Sequence, residues 1–126
     1  PALVVTGAVA DVRPYLAAAH VYVVPLRMGS GTRLKVLEAM AAGVPLVSTT
    51  LGLEGVAARP GEHALVADHA EAFAAAVARL LDAPSLRQQL AARARALAET
   101  RYDWAQLAPR LLALYEALAR APASRE

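Results

Sequence analysis

Residues 29–38 read GSGTRLKVLE. Gly29 and Gly31 flank Ser30, and Thr32, Arg33, Leu34 and Lys35 follow before a single carboxylate, Glu38. Two glycines this close let a backbone turn sharply and approach a ligand without a Cβ in the way. A helix starting just after them exposes unpaired N–H groups and the positive end of its dipole, which together attract anions. Ser30 and Thr32 add hydroxyl donors. Arg33 and Lys35 put positive charge where it opposes the helix dipole, at about 0.3–1 kcal/mol each. A bound anion would offset that cost, and a phosphate or diphosphate fits these groups.

Glu38 lies about two turns into the helix, too far to cap it. A carboxylate there can accept hydrogen bonds from two vicinal hydroxyls, as nucleotide sites do with ribose. The alternative is a plain helix start, capped by Ser or Thr, with Glu38 pairing Arg33 or Lys35 on the surface. Spacing alone leaves both open. The stretch is not a Walker P-loop, because no Gly-Lys-Ser/Thr follows, and not GxGxxG, because Leu34 stands where the third glycine belongs.

Other chemistries are excluded or unsupported. The 126 residues contain no cysteine, so disulfides and thiolate metal sites are absent. His20, His63 and His69 show no metal-ligand spacing, and no metal or other cofactor is expected. No carboxylate pair is spaced for hydrolysis and no activated nucleophile is evident, so no catalytic residue is assigned. Basic residues number 13 and acidic ones 11. Arg87, Arg93, Arg95, Arg101, Arg110 and Arg120 spread over a helical region without aromatic stacking partners, which argues against nucleic acid. Although 57% of residues are hydrophobic, no apolar run approaches the ~20 residues of a membrane span. Pro1-Ala2-Leu3 has no signal-peptide layout.

The elements that must hold the loop follow from periodicity. Residues 3–6, 21–26 and 45–49 are apolar runs of strand length, and 64–67 is a fourth, shorter one. Asp11 can cap a helix containing Val12, Leu16 and Ala19, with Pro14 in its first turn. Leu34, Leu37 and Ala41 mark the helix after the glycine loop, and Gly43 suits the position past its end. Three more helices follow, marked by Phe73, Val77, Leu80 and Leu81, then by Leu86, Leu90 and Leu97, then by Leu107, Leu111, Leu114 and Leu118. Strands that are apolar throughout and alternate with helices predict an α/β fold, a parallel sheet covered on both faces. Four strands are few for such a sheet, so the expectation is the C-terminal part of a doubly wound, Rossmann-like domain. A bare sheet edge then invites self-association. Residues 122–126 read as a frayed tail.

The stretch VTGAVADVRPYLAAAHVYVVPLRMGSGTRLKVLEAMAAGVPLVSTTLGLEGV resembles the C-terminal, donor-binding domain of retaining glycosyltransferases of the GT-B fold, family 4, the glycosyl transferases group 1. LEAMAAGVPLVST is its most specific piece, and HALVADHAEAFAAAVARLLDAPSLRQQLAARARALAETRYDW extends the resemblance over nearly the whole chain. It implies transfer of a sugar from a nucleotide-diphosphate donor, the substrate, to an acceptor such as a cell-surface glycan or lipid-linked chain, as in polysaccharide biosynthesis. The donor-binding residues carried over are Gly29, Ser30, Gly31, Thr32, Arg33, Leu34, Lys35 and Glu38. Of these, Gly29 to Thr32 match the diphosphate loop, and Glu38 matches the second glutamate of the family's pair, which binds ribose. The first glutamate, which would contact the donor sugar, is Ser30 here. Glu54 matches a loop glutamate near the cleft, or is an exposed loop carboxylate.

By the same resemblance, the basic pair that neutralises the diphosphate, the acceptor loops and the catalytic groups lie upstream, in a missing N-terminal domain. The chain is expected to be a fragment that transfers no sugar alone. Residues 1–103 would form the partial nucleotide-sugar-binding domain, and residues 104–126 a helix and tail crossing to that N-terminal domain. The enzyme would act in the cytoplasm, or peripherally at the inner membrane surface. The rival reading is a non-catalytic nucleotide-binding or interaction module of the same fold, which Ser30 favours.

Overall fold

Three short strands run parallel in the computed structural model, which describes residues 3–120. The expected tail at 122–126 lies outside the described residues. In chain order the elements are α1 (Arg13–Ala18), β1 (Tyr22–Val24), α2 (Leu34–Ala41), β2 (Leu46–Ser48), a 3-10 turn (Leu51–Leu53), β3 (Leu65–Val66), α3 (Ala70–Asp82), α4 (Pro84–Arg101) and α5 (Trp104–Arg120). β2 is central. It aligns Leu46, Val47 and Ser48 with Tyr22, Val23 and Val24 of β1, and Val47 and Ser48 with Leu65 and Val66 of β3.

Side chains alternate across a strand, so neighbouring residues of β2 enter different cores. Leu46 packs with Val24, Val36, Met40, Leu53, Ala64, Ala94 and Ala98. Val47 packs with Leu65, Leu80 and Leu90. The sheet therefore separates α2 from α3, while α4 contributes to both cores. This is an α/β arrangement, a parallel sheet followed by C-terminal helices, as the sequence leads one to expect.

The strand expected at residues 3–6 is not formed. Leu3, Val4 and Val5 are 79%, 70% and 85% exposed and pair with no strand. A β-branched run is ready to be a strand, but a strand exists only through a neighbour's hydrogen bonds and apolar cover. Neither reaches this segment among the described residues. The parallel pairing expected between 3–6 and 45–49 is corrected accordingly, whereas that between 21–26 and 45–49 is present as β1 with β2.

The helices start and stop for local reasons. Asp11 acts one residue outside the formal cap: Val12 is the N-cap, and the Arg13 N–H donates to Asp11 Oδ1 at 2.9 Å. α2 ends in a Schellman motif, with Gly43 N–H donating to Met40 O and Val44 N–H to Ala39 O, both at 3.0 Å. Gly43 sits at φ 71°, a conformation other residues rarely adopt, and this turn feeds the chain into β2. Leu111, Leu114 and Leu118 of α5 are exposed, while Leu107 is half-buried.

Candidate functional site

The carboxyl ends of the three strands are laced together. Thr49 Oγ1 donates to Leu26 O at 2.6 Å, just beyond β1, and accepts the Gly52 N–H at 3.0 Å. Asp68, just beyond β3, accepts the Thr50 N–H at 2.7 Å and the Thr50 hydroxyl at 2.8 Å. These two donors hold the Asp68 carboxyl below the usual carboxylate range. The loops leaving the sheet thus start from fixed points, as a site at the carboxyl edge of a parallel sheet requires.

The glycine loop rises from the end of β1. Gly29 has φ 124° and Gly31 φ 101°, values that only glycine takes readily, and Ser30 between them is exposed. Arg33 is the N-cap of α2, its carbonyl accepting from the Val36 and Leu37 N–H groups at 3.0 and 3.2 Å. Its side chain is 6% exposed. The guanidinium donates to Gly31 O at 2.9 Å, to Leu51 O at 3.1 Å and to Glu54 Oε2 at 3.3 Å. Arg33 is therefore engaged by its own loop and by the 3-10 turn. Thr32, Leu34 and Lys35 are exposed.

Burial decides where Glu38 points. Val36, Ala39 and Met40 form the buried face of α2. At 100° per residue Glu38 falls on the opposite side, and it is exposed. Among the described residues its carboxylate has no hydrogen bond and no ion pair; Arg33 pairs instead with Glu54. Glu38 faces a cavity of about 370 Å³ that it shares with Gly7, Tyr15, Leu16 and Tyr22. Burial, and then the Glu38 charge, push the Tyr22 phenol above its ordinary pKa.

A second cavity, about 610 Å³, lies between Gly31, Thr32, Arg33, Leu34, Glu54 and the α4–α5 junction at Tyr102 and Trp104. The Tyr102 hydroxyl accepts the Ala57 N–H at 2.7 Å, tying that junction to the loop after the 3-10 turn. A third concavity runs past Leu34, Leu37 and Glu38 and touches the lining of both others. The structure so joins Gly31 to Leu34 in one hollow and Glu38 to the next, whereas Gly29, Ser30 and Lys35 line neither. Sequence reasoning missed Gly7, Tyr15 and Tyr22 beside Glu38. No local signal singles out Tyr22, because its neighbour is set by the crossover from β1 to α2.

His20 and His69 are exposed, and His63 is buried with Nδ1 accepting the Arg59 N–H at 3.0 Å. Among the described residues no three His, Asp or Glu side chains cluster as metal ligands. No helix among them is long and apolar enough to cross a membrane.

Residues 1–83 match the family described as Glycosyl transferases group 1, and the chain belongs to that family. It is 36% identical over 104 residues to the phosphatidyl-myo-inositol mannosyltransferase of Mycobacterium leprae, an alignment covering 81% of this chain and 28% of that protein. Its fold is similar to that of sucrose-phosphate synthase from Thermosynechococcus elongatus, with a TM-score of 0.76 and 30% identity. That likeness covers 86% of this chain and 27% of the synthase. The chain thus spans a little over a quarter of either relative.

Proposed function

We propose that this chain is the donor-binding part of a glycosyltransferase that moves a sugar from a nucleotide-diphosphate donor to an acceptor. In this reading the backbone of residues 29–32 and the first turn of α2 receive the diphosphate, with Lys35 adding charge from its rim. Glu38 accepts hydrogen bonds from the ribose hydroxyls in the cavity it shares with Tyr22. No metal or other cofactor is required of these residues. The acceptor and the groups that break the glycosidic bond belong to parts of the enzyme outside this chain. Its length beside its relatives supports that division.

One observation carries the proposal. Glu38 is an exposed carboxylate, without a partner among the described residues, at the lip of a hollow on a chain of this family. A surface ion pair to Arg33 or Lys35 would have explained it otherwise, and none is made. On the same reading, residues 104–126 reach the rest of the enzyme through the exposed leucines of α5. The free edge of β1 is where further strands, or a second copy, would pair. The reaction would take place in the cytoplasm or at the inner membrane surface.

Ligand-detected NMR on the full-length protein with UDP and GDP tests the assignment. Saturation transfer to the ribose protons of one of them is expected. Absence of transfer from both would leave a non-catalytic module of the same fold as the better reading.

A further inference from the structure

We infer that Arg33 is a positioning residue for the diphosphate and not its ligand: its buried guanidinium holds the Gly31 carbonyl inward, which turns the Thr32 N–H outward to the anion, and Glu54 holds the guanidinium from the solvent side. This rests on the donor-site reading above.

The geometry begins with the peptide unit between Gly31 and Thr32. A trans peptide is planar, so its C=O and N–H point in opposite directions. Arg33 Nη1 takes the Gly31 oxygen at 2.9 Å, within a side chain only 6% exposed. The Thr32 N–H must then face away from Arg33. Among the described residues it has no acceptor, and neither have the Leu34 and Lys35 N–H groups, since the first bonds of α2 are those of Val36 and Leu37 to Arg33 O. With the Arg33 N–H, which also has no acceptor among the described residues, four unpaired backbone donors lie at the start of α2, and the Arg33 side chain sets the direction of the outermost one.

The same guanidinium reaches Leu51 O at 3.1 Å and Glu54 at 3.3 Å, so the glycine loop is referenced to the carboxyl end of β2. The guanidinium serves the three acceptors from Nε, Nη1 and Nη2 of one rigid fork, which a lysine ammonium, a compact charge on a flexible stem, does not reproduce. Glu54 is 69% exposed at its side chain and borders the same hollow as Thr32. Its negative charge near a diphosphate would by itself repel the ligand. Its effect through Arg33 is of opposite sign, and that difference in sign makes the inference testable.

Affinities of UDP and GDP for the full-length protein are measured by titration calorimetry at low and high salt, in wild type and in Arg33→Lys, Arg33→Gln and Glu54→Ala. Arg33→Lys and Arg33→Gln are expected to weaken the bound nucleotide alike, by roughly tenfold, the worth of one misaimed donor to a charged group. The salt dependence should stay that of wild type. Glu54→Ala, with melting unchanged, should weaken binding about twofold, the scale of a partly exposed ion pair. Near wild-type affinity in Arg33→Lys, with a loss and a shallower salt dependence in Arg33→Gln, would make Arg33 a direct ligand and overturn the inference. Tighter or unchanged binding in Glu54→Ala would overturn it too, and that variant decides alone should Arg33→Lys not fold. Wild type binding neither nucleotide is a separate outcome, which removes the donor site itself.

Discussion

Replacing Glu38 by alanine separates a ligand carboxylate from an ordinary surface one. The side chain is exposed and makes no bond to any described residue, so its removal breaks no hydrogen bond or ion pair among them and should leave melting unchanged. What is lost is its interaction with ribose. Hydrogen bonds to a charged group contribute about 1.5–3 kcal/mol, and solvent access to Glu38 puts the expectation at the lower end, roughly tenfold in Kd. Glu38→Gln should lose less, since an amide oxygen still accepts. Calorimetry with UDP or GDP gives the main effect. The control is the 2′,3′-dideoxy nucleotide, which has no hydroxyl to offer and should bind both proteins almost equally. A loss of the same size for both ligands would place the effect elsewhere than ribose. Unchanged affinity for the natural nucleotide in folded Glu38→Ala would refute the reasoning outright.

Lys35→Ala should weaken natural and dideoxy nucleotides alike, and the deficit should shrink as salt screens the charge. Tyr22 gives a pH signature: its phenol is raised by burial and secondarily by Glu38, so ultraviolet titration of Glu38→Ala should find it lowered yet still above ordinary. Because the folded-state pKa is the higher one, the stability linked to Tyr22 is intact below about pH 10 and declines as pH rises from there through the folded value. Leu80→Ala empties a fully buried position between β2 and α4 and should cost about 2–5 kcal/mol in denaturant unfolding. Leu114→Gln with Leu118→Gln should change the stability of residues 3–120 by about 0.5 kcal/mol or less, as exposed substitutions do, yet lower the melting temperature of the full-length protein if α5 docks there.

What the sequence made legible was governed by local pattern. Apolar runs at 21–26, 45–49 and 64–67 located β1, β2 and β3, each trimmed at its ends, because a strand stops where its neighbour's hydrogen bonds stop. Helical spacing located α2 to α5. The stripe read at Leu34, Leu37 and Ala41 was out of phase: α2 buries Val36, Ala39 and Met40 and leaves Leu34 and Ala41 exposed, and Glu38 lies opposite that buried face. The failures are those of long-range context. Residues 3–6 have the composition of a strand and lack the partner that would make them one. Arg33 reads as a free cation in a first turn, and nothing local announces that Leu51 and Glu54, 18 and 21 residues later, fold back to enclose it. Tyr22 reads as one more apolar strand residue, and its place beside Glu38 depends on how α2 crosses the sheet.

The glycine loop has a consequence for how such a protein can change. Its unusual backbone angles reside at Gly29 and Gly31, and no residue other than glycine has a positive φ among those described. Ser30 therefore occupies ordinary conformational space between two pivots that do the bending. Almost any side chain could be written at position 30 without redrawing the loop, while either neighbour tolerates almost none. Heredity can therefore vary the chemistry presented to a ligand at one position while the scaffold around it stands still. A mutational scan of the loop should read as two silent columns flanking one crowded with viable letters.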